Sequence, residues 1–93
     1  MSENHIHASH PDIVKRLKRA EGHVRRVIAM FDEGRSCLDL AQQLYAVEKA
    51  ITEARRRLIH DHVDHCLDLA TNERSGARSP NALKEFKAIS RYL

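Results

Sequence analysis

CLDLAQQLYAVEKAITEARRRLIHDHVDHCLDLA, from Cys37 to Ala70, is the stretch that decides the fold. It holds no Gly and no Pro, and none occurs between Arg35 and Ser75. Leu44, Val47, Ile51, Ala54 and Leu58 recur every three or four residues, and Val63 and Leu69 extend the stripe. That spacing predicts one continuous helix, roughly 50 Å long at about 1.5 Å per residue. A chain of 93 residues is too small to bury such a helix alone. Its apolar stripe is therefore expected to face another chain.

Both flanks of this stretch carry helix punctuation. Ser36 is a cap candidate with Asp39 three residues on, and Gly34 just before it is a stop signal for a preceding helix. That first helix is expected to begin at Ser9-His10-Pro11-Asp12, a cap candidate, a proline in the first turn and an early acid. Its apolar positions are Ile13, Leu17, Ala20, Val24, Val27, Ile28 and Phe31. Beyond the long helix, Ser75-Gly76 and Arg78-Ser79-Pro80 form a break. A short third helix follows, with Leu83, Phe86, Ile89 and Leu93 as its apolar side. The expected fold is all-α, a three-helix protomer with one long central helix. Residues 1–10 read as a flexible His-rich arm and residues 11–93 as a single helical domain.

Composition narrows the setting. The first dozen residues are polar and His-rich, so no secretory signal is expected, and no apolar run approaches the ~20 residues of a membrane span. A cytoplasmic protein is expected, with no membrane partner. Thiols stay reduced there, so the two cysteines are ligands or reactive groups rather than a disulfide. The net charge of +3 is unevenly spread. Lys15, Arg16, Lys18, Arg19, Arg25 and Arg26 lie between Ile13 and Met30 against only Glu21, and Arg55, Arg56 and Arg57 form a second block. Such clusters suit a polyanion, most simply the phosphates of double-stranded DNA, although a solvated helix face explains them too.

His62 and Cys66 stand four residues apart on the long helix, so both point to one side. Imidazole and thiolate together suit Zn, Cu or Ni. Cys37 lies 25 residues before His62, which is about 37 Å along a continuous helix. Within one chain it cannot join the pair. An antiparallel partner helix solves the geometry if a two-fold axis passes near residue 51, beside Ala50 and Ile51. Each end of the dimer would then combine Cys37 of one subunit with His62 and Cys66 of the other. Against this stands the reading of Cys37 as a small buried hydrophobe. His5, His7 and His10 read either as a solvated tail or as the source of a fourth ligand. His60 and His65 point around the helix from His62, and Asp61, Asp64 and Asp68 either orient imidazoles or face water.

Arg16-Leu17-Lys18-Arg19-Ala20-Glu21-Gly22-His23-Val24-Arg25, then Cys37, then Asp61-His62-Val63-Asp64-His65-Cys66, resembles the CsoR/RcnR family of metal-sensing repressors. The likeness runs from about residue 11 to 70. It implies an antiparallel four-helix-bundle dimer, a dimer of dimers, operator DNA bound without a helix-turn-helix, and release on metal binding. Cys37, His62 and Cys66 are similar to the trio of the copper(I) sensors, and His5 added to them is similar to the nickel-sensing InrS-like branch. The resemblance thus implies Ni(II) or Co(II) as inducer, with Cu(I) as the alternative, and de-repression of metal efflux. Ser2 and Cys66 argue against a formaldehyde sensor, and His62 against a persulfide sensor. His23 departs from the family pattern, in which many members carry Gln. The expected DNA contacts are Arg16, Lys18, Arg19, Arg25, Arg26, Arg55 and Arg56. From another class, a cytosolic metal buffer or chaperone would have no use for the basic block. An enzyme using Cys and His has no pocket-forming loop to work with.

Overall fold

The structure is a computed structural model that describes the backbone of residues 8–71 and 80–93, and the side chains of residues 8–65 and 83–93. Among the described residues three helices follow one another: α1 (His10–Asp32), α2 (Cys37–Thr71) and α3 (Pro80–Ile89), the last extended by a 3₁₀ turn, Ser90–Tyr92. No strand occurs among the described residues. The all-α reading with one long central helix holds, and α2 ends one residue past the expected Ala70. The predicted break around Ser75-Gly76 lies outside the described residues, as does the arm with His5 and His7.

The helix ends form where local chemistry dictates. Asp12, in the first turn of α1, accepts a bond from Arg16 Nε at 3.0 Å. At the other end Gly34 takes a φ of 71°, a region that costs any residue with a Cβ. Gly34 N–H donates to the Phe31 carbonyl at 3.2 Å, and Arg35 N–H reaches back to the Met30 carbonyl at 3.2 Å. This pair of bonds is a Schellman ending, which satisfies carbonyls that the helix would otherwise orphan. The chain then restarts at once. Asp39 N–H donates to Ser36 Oγ at 3.0 Å, capping α2 as its sequence suggests. Arg35 spans this junction, with Glu33 at 3.6 Å and Asp39 at 3.5 Å.

The chain divides into two compact units. In the first, Pro11–Arg55, α1 and the first half of α2 form a hairpin. Its buried positions are Ile13, Ala20, Val27 and Met30 on α1 and Leu40, Val47 and Ala54 on α2. On each helix three of these recur every seven residues, the period of a narrow coiled-coil seam. The apolar stripes read from sequence therefore split in two. Leu17, Val24, Ile28 and Phe31 on α1, with Leu44 and Ile51 on α2, keep 38–58% of their surface exposed. One row closes the hairpin; the neighbouring row is left outside it.

The second unit contains Arg56–Leu93. Here Ile59 and His62 of α2 are buried. Pro80 opens α3, where its missing N–H costs nothing. Of the four residues expected on the apolar side of α3, Phe86 and Ile89 are half-buried, whereas Leu83 and Leu93 are exposed. Ser90 Oγ donates to the Lys87 carbonyl at 2.7 Å and tightens the final turn. No helix among the described residues is long and apolar enough to cross a membrane.

Candidate functional site

Cys37 is the first residue of α2, and its thiol is free and exposed. Within the single chain Cys37 therefore lies outside the buried core. Ser36 and Arg35 fix the turn just before it, so the thiol stands on a rigid helix start rather than on a loose loop. A donor held that way loses little entropy when it binds a metal.

His62 is buried, retaining 9% of its surface. Cys66 stands one turn later on the same unbroken helix. Its side chain, like the whole of His5, lies outside what the structure describes. His60 is exposed and His65 half-buried. Among the described residues of the single chain, no three His, Cys, Asp or Glu side chains gather as metal ligands. The donor types nevertheless fit a soft or borderline transition metal: thiolate from a helix start and imidazole from a helix interior.

The basic residues fall into two groups. Lys18, Arg19, Arg25 and Arg26 of α1 and Arg55, Arg56 and Arg57 of α2 are exposed. Arg25 stands 3.6 Å from Glu21 in a well-solvated pair. Arg16 is half-buried and held by Asp12 through Nε. Within the Pro11–Arg55 hairpin, Arg16, Arg19, Ala20 and His23 of α1 line a cleft of about 170 Å³ with Ala50 and Glu53 of α2.

His23 has a structural partner that sequence reasoning did not supply. Its Nε2–H donates to Gln43 Oε1 at 2.7 Å, joining α1 to α2 across the half-buried hairpin seam. Gln43 lies between Leu40 and Val47, and His23 between Ala20 and Val27, at the 3–4 residue steps of the buried rows. Two polar residues at facing seam positions were the available signal. Reading it required the seam register.

The pattern of the metal-sensitive transcriptional repressors matches residues 9–91. The chain belongs to that family. It is 32% identical over 79 residues to the copper-sensing transcriptional repressor RicR of Mycobacterium tuberculosis, covering 85% of this chain and 82% of that one. It is 33% identical over 90 residues to the copper-sensing transcriptional repressor CsoR of Bacillus subtilis, covering 95% of this chain and 89% of that one. Among solved structures it resembles the nickel-responsive transcriptional regulator InrS, with a TM-score of 0.78 and 32% identity over 91% of this chain and 93% of that one. A metal-sensitive repressor is not an enzyme, and the exposed thiol of Cys37 needs no nucleophilic role. Such a protein must instead offer a metal-ligand set and a surface for DNA.

Proposed function

We infer that this metal-sensitive repressor binds double-stranded operator DNA as a homo-oligomer in the cytoplasm and is released when Ni(II) or Co(II) binds, de-repressing metal efflux. The observation that carries the inter-subunit arrangement is the exposed row of α2. Residues 37, 44, 51 and 58 follow one another every seven positions, and Cys37, Leu44, Ile51 and Leu58 are all exposed within the chain. Two such rows packed antiparallel about Ile51 set Leu44 against the other copy's Leu58. They set Cys37 against position 65, between His62 and Cys66 of the other chain. Homodimerisation thus assembles two equivalent sites of Cys37, His62 and Cys66, with His5 as a fourth donor. A dimer of such dimers gives the tetramer. Each metal, once bound, supplies a cross-link between subunits; the chain's own part is to hold thiolate and imidazole donors on rigid helices.

The DNA surface comprises Arg16, Lys18, Arg19, Arg25, Arg26, Arg55 and Arg56, contacting phosphates more than base edges. Copper(I) is the second reading. It is favoured by the two thiols and by the copper-sensing relatives RicR and CsoR, because soft thiolates select Cu(I). InrS and the His5 position favour nickel.

A metal titration followed by absorbance separates these readings. Thiolate-to-nickel charge transfer with square-planar character supports nickel, and ultraviolet bands alone with Cu(I) support copper. Metal affinity is then measured with and without duplex DNA. If metal releases DNA, DNA must weaken metal binding by the same factor, typically by about 1–3 kcal/mol. Equal affinities would mean a purely structural metal.

A further inference from the structure

Gly22 sits in the middle of α1 without a conformational reason to be glycine. Gly34 alone among the described glycines has a positive φ, so Gly22 keeps an ordinary helical backbone. Packing does not call for it either: a Cβ built there meets nothing within 4 Å outside its own helical turn. Glycine is nonetheless the poorest helix former after proline. The hairpin bears that weakness for no gain within the chain.

The surroundings of Gly22 are unusual. On a helix surface the neighbours of a residue are those three and four positions away on each side. For Gly22 these are Lys18, Arg19, Arg25 and Arg26, all four basic and all exposed. Lys15 stands one further turn back, an unfavourable i,i+4 like-charge pair with Arg19. The single acid in this stretch, Glu21, faces Arg25. At about 100° per residue, Gly22 points a third of a turn or more from Leu17, Val24 and Ile28, and away from the seam of Ile13, Ala20 and Val27. It occupies neither apolar row. The missing side chain leaves that part of the helix surface low, with cationic residues at all four neighbouring helical positions.

We propose that this low patch is where the sugar-phosphate backbone of DNA lies closest to α1, one phosphodiester seated over Gly22 between Lys18, Arg19, Arg25 and Arg26. The assignment rests on the DNA-binding reading above and adds to it a steric requirement that charge alone does not make. Longer residues at position 22 hold the phosphate off the helix and lengthen all four contacts together. A second copy of the chain is the less suitable occupant, since a group of four cations repels its own image.

The test uses full-length, metal-free protein and a short fluorescein-labelled mixed-sequence duplex, read by anisotropy across a salt series. Gly22→Ala is expected to raise the thermal midpoint, because a poor helix former is removed, and yet to weaken duplex binding roughly threefold to tenfold. It should flatten the slope of log K against log salt by about 0.9 for each phosphate that the protein no longer neutralises. Gly22→Gln, longer and uncharged, weakens binding further. A stabilised Gly22→Ala variant that binds within twofold of wild type overturns the proposal. If Arg19→Gln still weakens binding in that case, the DNA-binding reading survives. A wild type that binds no duplex sinks both ideas. A change in oligomer mass on Gly22→Ala, with DNA affinity unaltered, assigns the patch to a second copy and also overturns the proposal.

Discussion

Truncating Ile51 tests the antiparallel pairing proposed to assemble the metal site. Ile51 keeps 47% of its surface exposed within the chain. Fully burying a side chain of this size is worth about 1.5–3 kcal/mol, so burying the remaining half in a dimer yields roughly 1 kcal/mol per subunit. At a two-fold axis each substitution counts twice. Ile51→Ala should then cost about 2 kcal/mol per dimer, or roughly a thirtyfold rise in its dissociation constant. Sedimentation equilibrium of the metal-free protein over a wide concentration range reads that change directly. The fold of each chain should persist, since Val47 and Ala54, not Ile51, are buried in the hairpin. Circular dichroism at high protein concentration checks that the helices remain. A thirtyfold weaker dimer should also make metal affinity depend on protein concentration, as the proposed two-chain donor set requires. Unchanged self-association would refute the pairing about residue 51, and with it the assembly of Cys37 with His62 and Cys66.

Three further outcomes follow from particular residues. Cys37→Ala should abolish the metal response and leave DNA binding nearly intact, as Cys37 is not among the proposed DNA contacts; a variant that still releases DNA with normal metal affinity would disprove the ligand role. His5→Ala should weaken nickel binding and leave Cu(I) affinity nearly unchanged, and equal nickel affinity in both proteins would return His5 to a solvated tail. Gly34→Ala should cost about 1–2 kcal/mol in urea unfolding, because its φ of 71° lies in the left-handed region while open space surrounds it; a drop under about 0.5 kcal/mol would mean that the turn relaxes to a different ending.

Much of the fold was legible because it rests on local rules. Gly34, Ser36 and the Gly- and Pro-free run after Arg35 each act within a few residues, and they set the end of α1 and the start and continuity of α2. The division of the apolar residues was not legible in the same way. Val47 and Ile51 belong to one stripe by spacing, yet Val47 is buried in the hairpin and Ile51 is not. Which row turns inward depends on the register of α1 against α2, a long-range property that periodicity along one helix does not encode. The His23–Gln43 bond was missed for that reason. Cys37, His62 and Cys66 could be nominated because thiol and imidazole at helical spacing are chemically distinctive. Arginines are common on solvated faces, so the basic block by itself does not separate a DNA surface from a solvated one.

The leftover apolar row also bears on how so small a protein responds to metal. Within the Pro11–Arg55 hairpin each buried row holds an alanine, Ala20 or Ala54, and the larger Leu17, Ile28, Phe31, Leu44 and Ile51 stay outside. That exposed row is the surface proposed for contacts between copies. Folding of the hairpin and the proposed assembly then draw on neighbouring rows of the same helices, and a domain of this length buries only a small core by itself. On the proposed two-chain site, metal binding would do more than occupy a pocket: it would select among packings of the subunits. A ligand shifts such an equilibrium only by its differential affinity for the two states. The proposed pair of sites would supply that difference, because a change in helix packing would move Cys37 of one chain relative to His62 and Cys66 of the other. The proposed DNA surface would supply its own difference, since the cations of α1 in separate subunits would have to match phosphates at fixed spacing. On this proposal metal and DNA would compete through packing without sharing an atom, and the size of that competition is the coupling that the paired affinity measurement reads.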